Sequence, residues 1–375
     1  MQSSDFVRQL QTPGGNVKVS KGVNLDYLLV MILLVLCVIS LLVIYSATGQ
    51  DMFYVKRQLI FMMAGFFIMS VFAQFPARIW ERWAFVFYAG GVLSLAAVLL
   101  VGLEINGAQR WLDLGLTRLQ PSELMKICVP LMISSYIAKR AIPPTFQHVV
   151  LAVVLIALPV FLVMRQPDLG TALLISISGF LVLFLAGLKR GYLISAFVLA
   201  LAALPSLWFF VMRDYQKQRV LTLLNPQDDK LGAGWNIIQS TTAIGSGGWY
   251  GKGWTHGTQS QLNFLPESHT DFIIAVLAEE FGLVGVLTLC GLYLLLMGRC
   301  LFIGINAPST FGRLMAGSVA FTFFIFVFVN LSMVSGILPV VGAPLPLVSY
   351  GGTAIVTLFA GFGILMSVAA DSKQR

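Results

Sequence analysis

Glu267, His269 and Asp271 fall within the nine residues from Phe264 to Phe272, FLPESHTDF, of a chain that is 58% hydrophobic and only 11% charged. Carboxylates and an imidazole at that density can take a proton from a bound hydroxyl or return one, the work of general acid–base catalysis. A simpler role competes for Asp271, because an acid in the first turn of a helix complements the helix dipole. Pro266 stops any helix arriving from upstream, and Ser268 or Thr270 can cap the one that follows, which puts Asp271 in its first turn. The dipole would lower the Asp271 pKa and burial at a dry membrane edge would raise it, so spacing leaves the balance open. His269 could tune that titration or bridge to lipid headgroups.

A second set lies in NGAQRWLDLGLTRLQPSELMK, Asn106 to Lys126. Pro121 keeps Gln120 out of helical conformation, Ser122 can cap the next helix, and Glu123 and Lys126 then share one helix face. Such a pair is most simply a salt bridge. Arg110 and Lys126 together would instead make an anion site able to hold a diphosphate, the guanidinium as a bidentate fork and the ammonium as a point charge. Beyond Asp271, Glu279 and Glu280 stand side by side in an apolar run, roughly 12 to 14 Å further along a helix. Both cannot face lipid, so at least one should turn inward to a partner. A third set, PLPLVSYGGTAI from Pro344 to Ile355, implies irregular backbone at membrane depth, which is tolerated where it is buried in protein or lines a cavity.

The elements that must carry these residues are membrane helices. The 375 residues have a mean hydropathy of +0.86, beyond what a soluble globular chain tolerates. A bilayer core about 30 Å thick needs roughly 20 apolar residues of helix. Ten runs qualify: 25 to 47, 57 to 75, 83 to 103, 122 to 138, 147 to 164, 169 to 187, 191 to 211, 271 to 298, 313 to 335 and 348 to 370. The expected fold is therefore all-α, a polytopic membrane protein with about ten transmembrane helices and one large extracytoplasmic loop, 212 to 270. The whole chain, 1 to 375, reads as a single integral membrane domain with tails at 1 to 24 and 371 to 375.

With the N-terminus inside, the inner segments hold Arg8, Lys18, Lys21, Arg78, Arg82, Lys139, Arg140, Lys189, Arg190, Arg299, Arg313, Lys373 and Arg375. The short outer loops hold fewer, Lys56, Arg57, Arg110, Arg118 and Arg165. The positive-inside rule thus puts both termini in the cytoplasm and all three polar sets on the outer side. The first apolar run is too long, and too poorly followed by a cleavage site, for a signal peptide, so it is expected to stay as an anchor. Topology and anionic headgroups account for the net charge of +8 without nucleic acid. Cys37, Cys128, Cys290 and Cys300 sit in or at the ends of apolar runs with no CxxC pair, and are expected to pack, with neither disulfide nor metal. The large loop interleaves Trp235, Trp249, Tyr250 and Trp254 with AIGSGGWYGKGWTHG, which suits a cap with interfacial aromatics or the wall of a site for a lipid-linked substrate. Walker, GxSxG and HExxH motifs are missing, which argues against nucleotide hydrolysis and serine or zinc hydrolases. His148 and His256 stand alone and read as loop histidines.

The segments GAQRWLDLG, QPSELMK, FLPESHTDFIIAVLAEEFG and PLVSYGGT, in that order across ten spans, resemble the SEDS (shape, elongation, division and sporulation) family. The likeness covers essentially the whole chain, and the short N-terminus with the form GAQRWLDLG resembles the branch that serves elongation. The resemblance implies a peptidoglycan glycosyltransferase of the bacterial cytoplasmic (inner) membrane that polymerises lipid II at the outer face. It implies as partners a class B penicillin-binding protein that crosslinks the product and other proteins of the elongation complex. It also implies that Asp271, the aspartate of HTDF, is catalytic, and that Arg110 of QRW and Lys126 of PSExxK engage substrate. Trp111, Glu123, Glu267 and His269 share those motifs and are further substrate-binding candidates. Ser268 departs from the arginine frequent at that place, so no cation is carried over there.

An α-linked lipid diphosphate donor giving a β-linked glycan implies inversion without a covalent intermediate. Asp271 is then the expected base, or positions the acceptor hydroxyl, while Arg110 and Lys126 stabilise the departing diphosphate. A divalent cation, Mg or Mn, would assist; its ligands are unassigned, and no organic cofactor is expected. Two other classes stay in view. A lipid II flippase would suit a polar cavity, but the ionisable residues cluster at one face and no paired broken helices mark a midplane site. A scaffold for the penicillin-binding protein would leave Asp271, Arg110 and Lys126 without purpose.

Overall fold

A computed structural model describes residues 25–105, 108–113, 115, 118–229, 232–261 and 267–373. Phe264, Pro266, Asn106 and both chain ends lie outside the described residues. The helices are α1 (Tyr27–Ala47), α2 (Met52–Gln74), α3 (Ala77–Val101), α4 (Pro121–Ala138), α5 (Phe146–Arg165), α6 (Leu169–Leu185), α7 (Arg190–Ser206), α8 (Asp214–Leu224), α9 (Ala233–Ser246), α10 (Thr258–Gln261), α11 (Ile273–Asn306), α12 (Thr310–Val334) and α13 (Gly352–Lys373). Strands β1 (Leu103–Ile105), β2 (Ala108–Asp113) and β3 (Arg118–Leu119) form a small antiparallel sheet between α3 and α4.

Among the described residues seven helices, α1, α2, α3, α5, α11, α12 and α13, are long and apolar enough to cross a membrane. The other three expected spans fall on α4, α6 and α7, of 18, 17 and 17 residues. Side-chain caps fix several starts. Asp26 accepts from Leu29 N, Asp51 from Phe53 N, Asp168 from Thr171 N and Ser309 from Gly312 N, each satisfying an amide that a helix end would otherwise leave unpaired. The Asp51 cap starts α2 five residues before the apolar run expected at 57, so Lys56 and Arg57 ride on the helix.

Two large cores hold the bundle, with a small third cluster of Leu174, Phe326 and Ala343. One joins α1, α2, α11, α12 and α13 through buried residues such as Leu33, Ile44, Met69, Phe311 and Phe359. Gly65 lets α2 approach α13 closely, since a β-carbon there would stand 2.5 Å from the Phe359 ring, the small-residue contact common between membrane helices. The other core packs α3 to α6 around Met125, Val129, Ile133 and Ile175.

The ends of the bundle alternate as ten crossings require. At one end the α3–α4 sheet meets the α5–α6 turn through Arg110, α8 meets the α12–α13 segment through Arg219, and the turn before α11 meets the end of α1 through Ser268. At the other end Arg299 of α11 pairs with Asp26 ahead of α1, Nε to Oδ1 at 3.1 Å and Nη2 to Oδ2 at 2.5 Å, and Asp371 of α13 takes a backbone hydrogen bond from Ala77.

The described parts of the large loop carry α8, α9 and α10, and its glycine-rich part is spliced into α11. That helix breaks at Gly282, with φ 65° and ψ −162°, a region essentially restricted to glycine. The break leaves two carbonyls and two amides unpaired, and the loop supplies partners for all four. Lys252 N and Gly253 N donate to the carbonyls of Glu279 and Glu280 at 3.0 Å each, while Leu283 N and Val284 N donate to Gly248 O and Trp249 O at 2.9 and 3.1 Å. Non-helical backbone at membrane depth survives when it is satisfied in this way.

Glu279 and Glu280 therefore do not extend an unbroken helix into the bilayer, and both turn inward. Glu279 takes Lys252 Nζ at 2.7 Å and the Thr258 amide and hydroxyl at 2.8 and 2.9 Å. Glu280 takes the Ser46 hydroxyl.

Candidate active site

Asp271 does not stand in the first turn of a capped helix. Residues Glu267 to Phe272 form a tight turn ahead of α11, in which Thr270 N and Phe272 N both donate to Glu267 O at 3.1 and 3.3 Å and Glu267 adopts φ 56°. Neither expected cap operates: the Ser268 hydroxyl donates to Ala47 O at 3.0 Å and the Thr270 hydroxyl to Glu267 Oε2 at 2.6 Å. Phe272 occupies the cap position without a side-chain bond. A turn locked by its own polar side chains can present a carboxylate at an angle that a regular helix would not allow.

The third polar set wraps this turn. Its backbone is irregular from Ile337 to Gly351, as expected, and α13 begins only at Gly352. Tyr350 N donates to His269 O at 2.9 Å and the Ser349 hydroxyl donates to Thr270 O. From α12, the wholly buried Asn330 amide donates to Asp271 O at 2.8 Å and to Ala343 O at 2.7 Å. Gly342, at φ 73°, faces the carboxylate; a β-carbon on it would lie 3.5 Å from Asp271 Oδ2.

The Asp271 side chain is half-buried, and among the described residues nothing hydrogen-bonds to its carboxylate. Burial pushes the Asp271 carboxyl up to about 6; the negative charges of Glu267 and Asp168 add to the rise, and Arg219 opposes it. The His269 imidazole lies below its ordinary value because burial outweighs the attraction of Glu267. Its ring packs against Tyr54 and Tyr350.

The expected cations have separate partners. Arg110, on β2, donates through Nη2 to Pro167 O at 2.6 Å and through Nε to Gln166 O at 3.3 Å, with Asp168 Oδ2 3.6 Å from Nη1. Trp111 beside it is half-buried and pairs across the sheet with Leu103. Glu123 and Lys126 form the simple salt bridge at 2.6 Å, largely buried, with the ammonium 4.9 Å from the centre of the Phe326 ring. Pro121 opens α4 with Gln120 extended at the cap, as expected, but Ser122 lies buried inside the helix and caps nothing.

Glu123 and Lys126 line a mainly apolar cavity between α4, α12, α13 and the segment Pro344–Gly351, enclosing about 780 Å³ with the space at its mouth. Asp168, Arg219 and Asn330, with Ser349 of the third polar set, complete the site; the first three were not singled out as site residues from sequence. Asp168 had a readable signal, since RQPDLG places an acid after a proline at the head of an apolar run, as PESHTD does. Arg219 and Asn330 had none, because a cation in a long loop and an amide in a span have many ordinary uses.

A polytopic helical bundle with an ionisable turn, two anchored cations and a cavity at one end defines a membrane protein built around a polar site. Residues 23–374 match the family model of the FtsW, RodA and SpoVE cell cycle proteins, and the chain belongs to that family. It is 55% identical over 352 residues to the peptidoglycan glycosyltransferase MrdB of Escherichia coli K12, covering 94% of this chain and 95% of the relative. It is 34% identical over 367 residues to a probable peptidoglycan glycosyltransferase FtsW of Trichlorobacter lovleyi, covering 93% and 94%. Among solved structures it resembles a chain of a peptidoglycan synthase complex that coordinates polymerization and crosslinking, with a TM-score of 0.82 and 32% identity over 93% of this chain and 99% of the other. It also resembles the rod shape determining protein RodA of Thermus thermophilus, with a TM-score of 0.71 and 30% identity over 93% and 98%.

Proposed function

We propose that this chain is a peptidoglycan glycosyltransferase that polymerises lipid II during cell elongation, with Asp271 as base. The observation that carries the reading is the Asp271 carboxylate, half-buried, without a hydrogen-bond partner among the described residues, and held up to about 6. A base poised near the working pH combines a large deprotonated fraction with useful basicity. Relatives named for this activity, one of them 55% identical, support the same conclusion.

In the reaction the acceptor sugar hydroxyl attacks the anomeric carbon of the donor while Asp271 takes its proton. The bond from that carbon to the lipid diphosphate breaks with inversion, and the diphosphate leaves with the electron pair. Arg110 and Lys126 stabilise that charge. Their present partners leave donors to spare, since a guanidinium carries five N–H groups and an ammonium three. Trp111, Glu123, Glu267 and His269 would line the substrate path.

A divalent cation, Mg or Mn, would supply Lewis-acid stabilisation of the diphosphate. Among the described residues no three His, Cys, Asp or Glu side chains converge as a metal site. Asp168 and Glu267, hard carboxylates near Asp271, suit an ion that keeps its waters and is shared between one or two carboxylates and substrate phosphates.

The chain acts as one membrane domain with both termini cytoplasmic and the site facing outward, beside a class B penicillin-binding protein. The positive-inside distribution supports the sidedness, and the solved synthase complex supports the partner. The test is the purified protein, alone and with that partner, in vesicles carrying lipid II, with glycan resolved by length and lipid translocation scored together. Glycan polymer is expected; translocation without polymer would support a flippase instead, and neither activity despite partner binding a scaffold.

A further inference from the structure

Three rings that carry polar atoms meet beside the Asp271 turn. Tyr54 comes from α2, His269 from the turn and Tyr350 from the segment ahead of α13. Ring centroids lie 5.1 Å apart for Tyr54 and His269, 5.4 Å for Tyr54 and Tyr350, and 5.8 Å for His269 and Tyr350, all tilted or edge-on. All three residues are half-buried, and among the described residues neither phenolic hydroxyl and neither imidazole nitrogen has a hydrogen-bond partner.

The two tyrosines buried to 4% exposure in this fold spend their hydroxyls. The hydroxyl of Tyr88 donates to Leu155 O at 2.7 Å and that of Tyr293 to Pro346 O at 2.8 Å, as expected when a phenol is buried. Tyr54 and Tyr350 keep their hydroxyls unspent while their rings stay fixed. The bond from Tyr350 N to His269 O, 2.9 Å long, and the bond from Ser349 to Thr270 O tie the cluster to the turn that holds Asp271.

A pyranose ring has apolar C–H faces and a rim of hydroxyls. Ring faces bordered by spare donors and acceptors match that pattern, as do the few convergent polar groups of an otherwise apolar ligand site. Neutral rings bring no positive charge to a diphosphate, which the cations on β2 and α4 supply. A base must also lie within about 2.6–3.2 Å of the hydroxyl it deprotonates, and the ring cluster is anchored two residues from Asp271.

We propose that Tyr54, His269 and Tyr350 form a binding subsite for the acceptor sugar, a specificity that rests on the glycosyltransferase reading. Ring faces stack on the pyranose, and the phenols and imidazole bond its hydroxyls. The subsite aligns the attacking oxygen with Asp271 and contributes to acceptor affinity more than to the chemical step.

The test uses the full-length protein in detergent with two readouts. The affinity of a soluble tetrasaccharide of alternating N-acetylglucosamine and N-acetylmuramic acid is measured on Asp271→Asn protein, which keeps the subsite without turnover. KM and kcat for lipid II are measured with Asp271 intact. Tyr54→Phe and Tyr350→Phe, which keep the rings, should each weaken saccharide binding and raise KM by about 3- to 10-fold with kcat nearly unchanged. His269→Gln, which keeps polar atoms, should lose less than His269→Leu. Unchanged saccharide affinity and KM in both Tyr→Phe variants would overturn the subsite, as would losses that track a fall in Tm. Failure of the unmodified protein to polymerise lipid II with its penicillin-binding partner present would instead sink the glycosyltransferase reading, and the saccharide affinities would still decide the subsite.

Discussion

The Asp271 carboxyl is held up to about 6 by burial, with Glu267 and Asp168 adding to the rise and Arg219 opposing it, so the neighbours set the pH at which a base becomes available. An acid with a raised folded pKa is protonated as pH falls, and polymerisation should fall away through about 6. Replacing Arg219 by glutamine removes the opposing cation and should move this acid limb to higher pH, whereas Glu267→Gln should move it lower; rate against pH for the three proteins checks the order. Shifts in the opposite sense would mean another group controls the limb. The residue types of this site were largely visible in the sequence: HTDF, QRW and PSELMK pointed to Asp271, Arg110 and Lys126. Their angles and partners were not. Ser268 and Thr270 look like helix caps by type and spacing, yet one hydroxyl reaches back to α1 and the other to Glu267. Local pattern carries no information about a carbonyl contributed from 221 residues away.

Helices were legible as elements because apolar runs long enough to span a bilayer admit few other structures. The break in α11 was not, since Gly282 sits in an apolar run whose periodicity continues through it. What breaks the helix is a tertiary fit, the loop at Gly248–Gly253 supplying the four hydrogen bonds that the break leaves open. Gly282→Ala would force a β-carbon to 2.4 Å from Gly251 N in a conformation reserved for glycine. It should cost about 2 to 4 kcal/mol, read as a lowered Tm in detergent. Ala at Gly298, where a β-carbon meets open space, should leave Tm nearly unchanged. Equal behaviour of the two variants would mean that the splice does not support the fold. The small sheet at 103–119 also escaped the sequence reading, because its strands are two to six residues long and lie in a segment better marked by its charges.

At the scale of the molecule, loops that alternate along the chain gather at one end, and Asp271, Arg110, Asp168 and Arg219 lie there together. In the orientation proposed above from the basic flanks, that end faces outward. Cysteines placed at Gln50 and Asp113 should react with a membrane-impermeant maleimide on intact spheroplasts, and cysteines at Ala141 and Asn306 only after permeabilisation; the reverse pattern would invert the topology. The same gathering brings the Asp271 turn within the field of Arg219 on α8 and of Asp168, which Arg110 of the α3–α4 sheet holds, an arrangement no single segment could make. The most direct test of the central claim is the rate of glycan formation from lipid II by full-length Asp271→Asn protein with its penicillin-binding partner, measured against the unmodified protein at the same Tm. The account predicts a loss of at least about 100-fold, and polymerisation by the asparagine protein at the unmodified rate would contradict it.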